Sequence, residues 1–168
     1  MSRLITAAAF VLLLVPSLSA QDAATWRFLG DTAGAPPGCS ASAAIATINL
    51  WFQSYNTADS LGLERAMAVQ RRGGWVFSNG HFTAQDPFVR IQSLPDLLRY
   101  TRARARRHEH LALTAVHFYG WKGRTLSFMP FYSRSASDLG PTPLPGTGKV
   151  VYACGQGLFK FNLAPKPS

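Results

Sequence analysis

Leu97-Leu98-Arg99-Tyr100-Thr101-Arg102-Ala103-Arg104-Ala105-Arg106-Arg107-His108-Glu109-His110-Leu111-Ala112-Leu113-Thr114-Ala115-Val116-His117-Phe118-Tyr119 is the stretch in which the chain changes its repeat. Before it, Ser93-Leu94-Pro95-Asp96 reads as a helix start, with a Ser cap, a Pro in the first turn and an Asp three residues after the cap. Up to about His108 the apolar face Leu94, Leu97, Leu98, Thr101 and Ala105 follows helical spacing. From Leu111 the period drops to two and the residues become β-branched and aromatic. Residues 111–119 and 124–134 read as long strands joined by a two-residue turn at Lys122-Gly123. That turn would pair Tyr119 with Leu126 and His117 with Phe128, setting His117 and Tyr119 on one face with Leu113 and Ala115.

The chain on either side extends the same division. After Ser40 or Ser42 as a cap, apolar residues fall at 41, 44, 45, 48, 51, 52 and 55, a helix so apolar that most of its surface must be covered. Asn56 to Asp59 interrupts it, and residues 61–69 form a short second helix. Short strands are expected at 75–78 and 88–91, with a turn at Asn79-Gly80 between them. Residues 135–148 read as a Pro/Gly loop, 149–154 and 158–161 as the last strands, and 164–168 as a loose tail. Trp26-Arg27-Phe28-Leu29 reads as an edge strand or a packed arm. Helices segregated ahead of an antiparallel meander predict an α+β fold, a curled, mainly antiparallel sheet covering the first of three helices.

Three stretches carry a resemblance. Asn56-Thr57-Ala58-Asp59-Ser60-Leu61 is similar to the exit from helix one in the nuclear transport factor 2-like superfamily, which includes ketosteroid isomerases and polyketide cyclases. The run from Leu97 to Arg104, followed by Glu109-His110-Leu111-Ala112-Leu113, resembles members with an Arg ending the helix and a Glu opening the next strand. Gly148-Lys149-Val150-Val151-Tyr152-Ala153-Cys154 is similar to a stretch near the end of the same members. The resemblance spans residues 40–162 and implies a cone-shaped α+β barrel with a pocket at its open end. Enzymes of that family place an Asp or His base and a Tyr or Asp acid there. The quoted stretches do not include those catalytic positions, so activity has to be argued from the site.

The N-terminus reads as a secretory signal peptide. Met1-Ser2-Arg3 is a basic start, residues 4–15 are an uncharged apolar run, and Pro16 precedes the small residues Ser17-Leu18-Ser19-Ala20. The run is shorter than the ~20 residues a membrane span needs. Cleavage after Ser19 or Ala20 gives a secreted or periplasmic protein with no transmembrane segment. It leaves a segment at 21–39, a single domain at 40–163 and the tail. With Arg3 removed, 16 basic residues face 8 acidic ones, which favours anionic partners. Export sets nucleic acid aside as an expected partner. In an oxidising compartment the two cysteines, Cys39 and Cys154, are expected to bond. Closing a loop of that length would stabilise by roughly 4–5 kcal/mol.

Candidate site residues divide by face. A helical wheel puts Arg99, Arg102 and Arg106 together opposite the apolar side, where they form a solvated stripe that could meet an anionic surface. Arg104 lies about 60° from the centre of the apolar face, so its charge needs a partner. Glu109 supplies a structural ion pair; a ligand carboxylate or phosphate is the other reading. His117 is the best candidate general base and Tyr119 its acid, although no carboxylate is placed to orient the histidine. His81, His108 and His110 lack metal-site spacing, so neither metal nor cofactor is expected. There is no Gly-x-Ser-x-Gly and no phosphate-cradling glycine loop.

The leading expectation is a non-catalytic, exported domain binding a small apolar or anionic ligand in a cone pocket lined by Phe52, Trp75, Arg104, His117, Tyr119, Phe128 and Tyr132. Homodimerisation is compatible with it. The alternatives are an isomerase, cyclase or dehydratase using His117 and Tyr119, and docking of the arginine stripe on anionic surfaces.

Overall fold

A computed structural model describes residues 27–80, 82–83 and 86–166. The expected signal peptide, the segment up to Trp26, His81 and the last two residues of the expected tail lie outside the described residues. In chain order the elements are β1 (Arg27–Gly30), α1 (Ala41–Thr57), α2 (Ser60–Ala66), β2 (Val76–Asn79), β3 (Val89–Ile91), α3 (Leu94–Ala105), β4 (His110–Lys122), β5 (Thr125–Ser135), β6 (Leu144–Ala153) and β7 (Gly157–Pro165). One sheet takes all the strands in the order β1-β4-β5-β6-β7-β2-β3, with β1 and β3 as its edges. The β1–β4 and β2–β7 pairings are parallel and the rest antiparallel. Among the described residues no helix is long and apolar enough to cross a membrane.

Local chemistry fixes the helix ends. Ser40 caps α1 by accepting from the Ala43 N–H at 3.2 Å. Ala58 in the left-handed region ends that helix, and Asp59 caps α2 through the Leu61 N–H at 3.0 Å. Gly62 lets the two helices touch, since a Cβ there would lie 1.9 Å from Ser54 Oγ. Ser93 caps α3 as its sequence implies, with Pro95 in the first turn. That helix ends at Ala105, three residues earlier than expected, because His108 adopts a positive φ and Glu109 N–H returns to the Arg104 carbonyl at 3.1 Å.

The sheet packs its inner face on α1. Trp51 is fully buried and stacks on Phe161 at 3.9 Å, on Tyr55 at 5.0 Å and on Phe77 at 5.8 Å. Such ring pairs are worth about 0.5–1.5 kcal/mol each beyond burial. The expected Cys39–Cys154 disulfide is present, with Cα atoms 5.7 Å apart, tying the approach to α1 to the end of β6.

The β4–β5 hairpin departs from the expected register. Lys122 pairs with Thr125, so Gly123-Arg124 form the turn, and His117 pairs with Met129 rather than Phe128. Two bulges, at Thr114 and at Tyr119, each insert an extra residue. The Thr114 bulge reverses the alternation, so Val116 and Phe118 point into the core. His117 and Tyr119 lie on the outer face, not on the cone-lining face with Leu113. Three further expectations are corrected. The loop after β5 is shorter, because β6 begins at Leu144. Ala164 and Pro165 are not tail but pair with Thr147 and Gly146, and Asn79 closes β2 against Leu163 rather than turning.

Candidate functional site

Where α3 ends, three arginines and three carboxylates meet beneath the sheet. The turn that brings Glu109 N–H to the Arg104 carbonyl also folds the Glu109 side chain back on the Arg104 guanidinium. Glu109 Oε2 accepts from Arg104 and, at 2.8 Å, from Arg134 Nη2. Its other oxygen, Oε1, accepts from the Tyr55 hydroxyl at 2.5 Å. Arg134 Nη1 donates to Asp86 at 2.5 Å, and the guanidinium lies 4.6 Å from the Phe82 ring centroid. Arg104 grips Asp138 with both terminal nitrogens, at 2.9 and 3.0 Å, and Arg107 adds a third contact to the same carboxylate. Glu109 and Arg134 are 4% and 0% exposed, so water does little to screen this pairing.

The electrostatics follow from that enclosure. Burial pushes the Tyr55 hydroxyl well above its ordinary range, and the proximity of Tyr100 and Glu109 adds to it, so the phenol stays protonated and donates to Glu109. Burial likewise raises Tyr100 and Tyr132. For Arg104 burial opposes the charge, but the bonds to Asp138 and the attraction of Glu109 overcome it and hold the guanidinium protonated. Burial opposes ionisation of Asp138 too, and the Arg104 bonds reverse that and bring its carboxyl below the usual range. The network is charge-balanced, and both Glu109 oxygens are occupied by donors.

The residues expected to line one pocket are dispersed. Phe52, Phe128 and Tyr132 belong to the packed core, Trp75 is buried at its margin, and Tyr132 donates to the Ala164 carbonyl at 3.4 Å. Arg104 is turned to Glu109 and Asp138. His117 stacks on Tyr119 at 5.3 Å outside the sheet, and the Tyr119 hydroxyl points to Met129 Sδ at 3.7 Å. Arg99, Arg102 and Arg106 are exposed on the outer side of α3, with Arg99 paired to Asp96. His108 and His110 are exposed.

Sequence reasoning missed Arg134, Tyr55, Asp86 and Asp138. For Arg134 the signal was present. It continues the alternate residues Leu126, Phe128, Pro130 and Tyr132, all inward-facing on β5, so its side chain had to enter the core.

No family model and no curated protein sequence matches this chain. Solved structures match its fold. A protein assigned as a dehydratase of the nuclear transport factor 2-like family from Streptomyces avermitilis superposes with TM-score 0.55 at 14% identity, over 75% of this chain and 96% of that one. The Orange Carotenoid Protein of Anabaena, solved binding canthaxanthin, gives 0.58 at 10% identity, over 73% of this chain and 37% of its own. A protein assigned as an isomerase from Bacillus subtilis gives 0.51 at 15% identity, over 75% and 88%. The chain has the nuclear transport factor 2-like fold.

Proposed function

We propose that this protein is an exported, non-catalytic binding domain for a small ligand with apolar and anionic character. The observation that supports this most is the engagement of Glu109: Tyr55, Arg104 and Arg134 all donate to it, so its buried carboxylate is turned to the protein's own donors rather than to a ligand. The histidine and tyrosine that sequence reasoning put forward as base and acid lie on the opposite side of the sheet, away from that carboxylate. Arginines absorb the charge of Glu109, Asp86 and Asp138, and stability is their main return. Among structures of the same fold, the carotenoid protein holds canthaxanthin, an example of binding as a role for this architecture.

Native mass spectrometry of the protein recovered from its export compartment tests the reading. A non-covalent ligand recovered chemically unchanged is expected. Incubation of that ligand with the protein in deuterium oxide is the decisive arm. Deuterium entering a C–H position with wild-type protein but not with His117→Ala would establish proton transfer and overturn a purely binding role.

A further inference from the structure

The strands β7, β2 and β3 form one end of the sheet, and their outer face carries a groove of about 510 Å³. That is within the size range of small-molecule sites. Register explains its lining. Phe77 and Asn79 turn inward on β2, so Val76 and Ser78 face out. Val76 pairs with Lys160 on β7, and Ser78 pairs with Arg90 on β3, which puts both cations on the same outer face. Arg71 closes one side, with its guanidinium 3.7 Å from the Phe159 ring centroid. Trp75 and Phe88 complete the lining, and Phe88 is 56% exposed.

Two properties of this groove coincide. Arg71, Arg90 and Lys160 converge with no acidic residue in the lining, and none of the three pairs with a carboxylate among the described residues. Phe88 and Phe159 add aromatic surface, with Arg71 lying over the Phe159 ring, and the buried Trp75 closes the floor. An inorganic anion would satisfy the cations and leave the rings unused. A neutral aromatic would stack on the rings and strip water from the exposed Arg90 and Lys160 without giving them a charged partner, which is unfavourable. A planar ring bearing a carboxylate satisfies both, through stacking and charge-assisted hydrogen bonds.

We propose that the groove between Arg71, Trp75, Phe88, Arg90, Phe159 and Lys160 binds a small aromatic carboxylate. This rests on the binding role proposed above and moves the ligand from the interior of the cone to the outside of the sheet.

Titration calorimetry of the mature, disulfide-bonded protein with 2-naphthoate tests it, with naphthalene-2-carboxamide as the neutral counterpart and cyclohexanecarboxylate as the non-aromatic anion. Saturable naphthoate binding is expected, with both counterparts weaker by about tenfold or more. The double variant Arg90→Ala/Lys160→Ala, at exposed positions, should fold with an unchanged circular dichroism spectrum and lose naphthoate affinity by about tenfold or more. Arg99→Ala/Arg102→Ala removes the same charge from α3 and should bind as wild type. Equal weakening by the two double variants would reduce the effect to net charge and overturn the groove. Undiminished binding by the Arg90/Lys160 variant would place the ligand elsewhere and sink the groove while leaving the binding role intact. Absence of naphthoate binding, with an unrelated ligand recovered by mass spectrometry, also rejects the groove alone; absence of both rejects the two proposals together. Vesicles containing phosphatidylglycerol that bind the protein through Arg90 and Lys160, with no naphthoate binding, would reassign the groove to a membrane surface.

Discussion

Replacing Glu109 by Ala removes the hub of the buried network. Three donors lose their acceptor: the Tyr55 hydroxyl, Arg104 and Arg134. Arg104 keeps a bidentate grip on Asp138, but Arg134 is fully buried and keeps only its contact to Asp86 among the ion pairs. The variant therefore carries an excess positive charge where water cannot reach it. Breaking a buried pair in this way costs about 3–5 kcal/mol. At roughly 4 °C per kcal/mol for a domain of this size, Tm should fall by about 10–20 °C. Glu109→Gln preserves volume and one acceptor but presents an amide N–H₂ to the guanidinium groups, so most of the loss should remain. Urea unfolding with the disulfide intact measures it, and a double-mutant cycle of Arg104→Ala with Glu109→Ala should show a coupling of about 0.5–3 kcal/mol. A loss below about 1 kcal/mol for Glu109→Ala would put the pair in the class of exposed salt bridges and refute the network as a source of stability.

Tyr55→Phe removes one donor to a charged acceptor and should cost about 1.5–3 kcal/mol by the same urea assay. Asp138 has a folded-state pKa below its unfolded value, so its contribution is complete above the ordinary carboxylate range and is lost as pH falls through the depressed value. Wild-type stability should therefore decline below about pH 4, and Asp138→Asn should be less stable at neutral pH with a shallower acid decline, read from urea midpoints against pH. Cys39→Ser/Cys154→Ser opens a loop spanning 115 residues and should lower stability by about 4–5 kcal/mol, which reduction of the wild type should match. Intact mass of the exported protein should show a new N-terminus at Ala20 or Gln21; residues 1–18 still attached would rule out that cleavage.

Most of the fold could be read from the sequence because its signals are local and repeat. The buried face of α1, the Ser93 cap and Pro95 of α3, and the long period-two strands each depend on neighbours a few residues away. The Arg104–Glu109 contact was readable for the same reason: five residues separate the partners, and the helix wheel turns Arg104 inward. The bulge at Thr114 was not readable. An extra residue leaves the composition of a strand unchanged while reversing the face of every residue after it, and it moved His117 and Tyr119 from the expected pocket to the outside. Asp86 and Asp138 join the network from segments 48 and 34 residues away from their arginines, a separation that no periodicity reports.

The network also decides where the basic excess of this chain acts. Arg104, Arg107 and Arg134 consume Asp86, Glu109 and Asp138, three of the eight acidic residues. With Arg3 set aside, 13 basic residues remain against 5 acidic ones outside the network. Interior pairing at equal numbers thus raises the ratio of positive to negative charge on the rest of the molecule. The outer face of β7, β2 and β3 inherits that imbalance as three cations without a lining carboxylate, beside the rings of Phe88 and Phe159 in one groove. On α3 the exposed Arg99, Arg102 and Arg106 have the charge without the rings, and Asp96 already answers one of them. A ligand that needs both features therefore separates the two surfaces, whereas a ligand that needs charge alone would not.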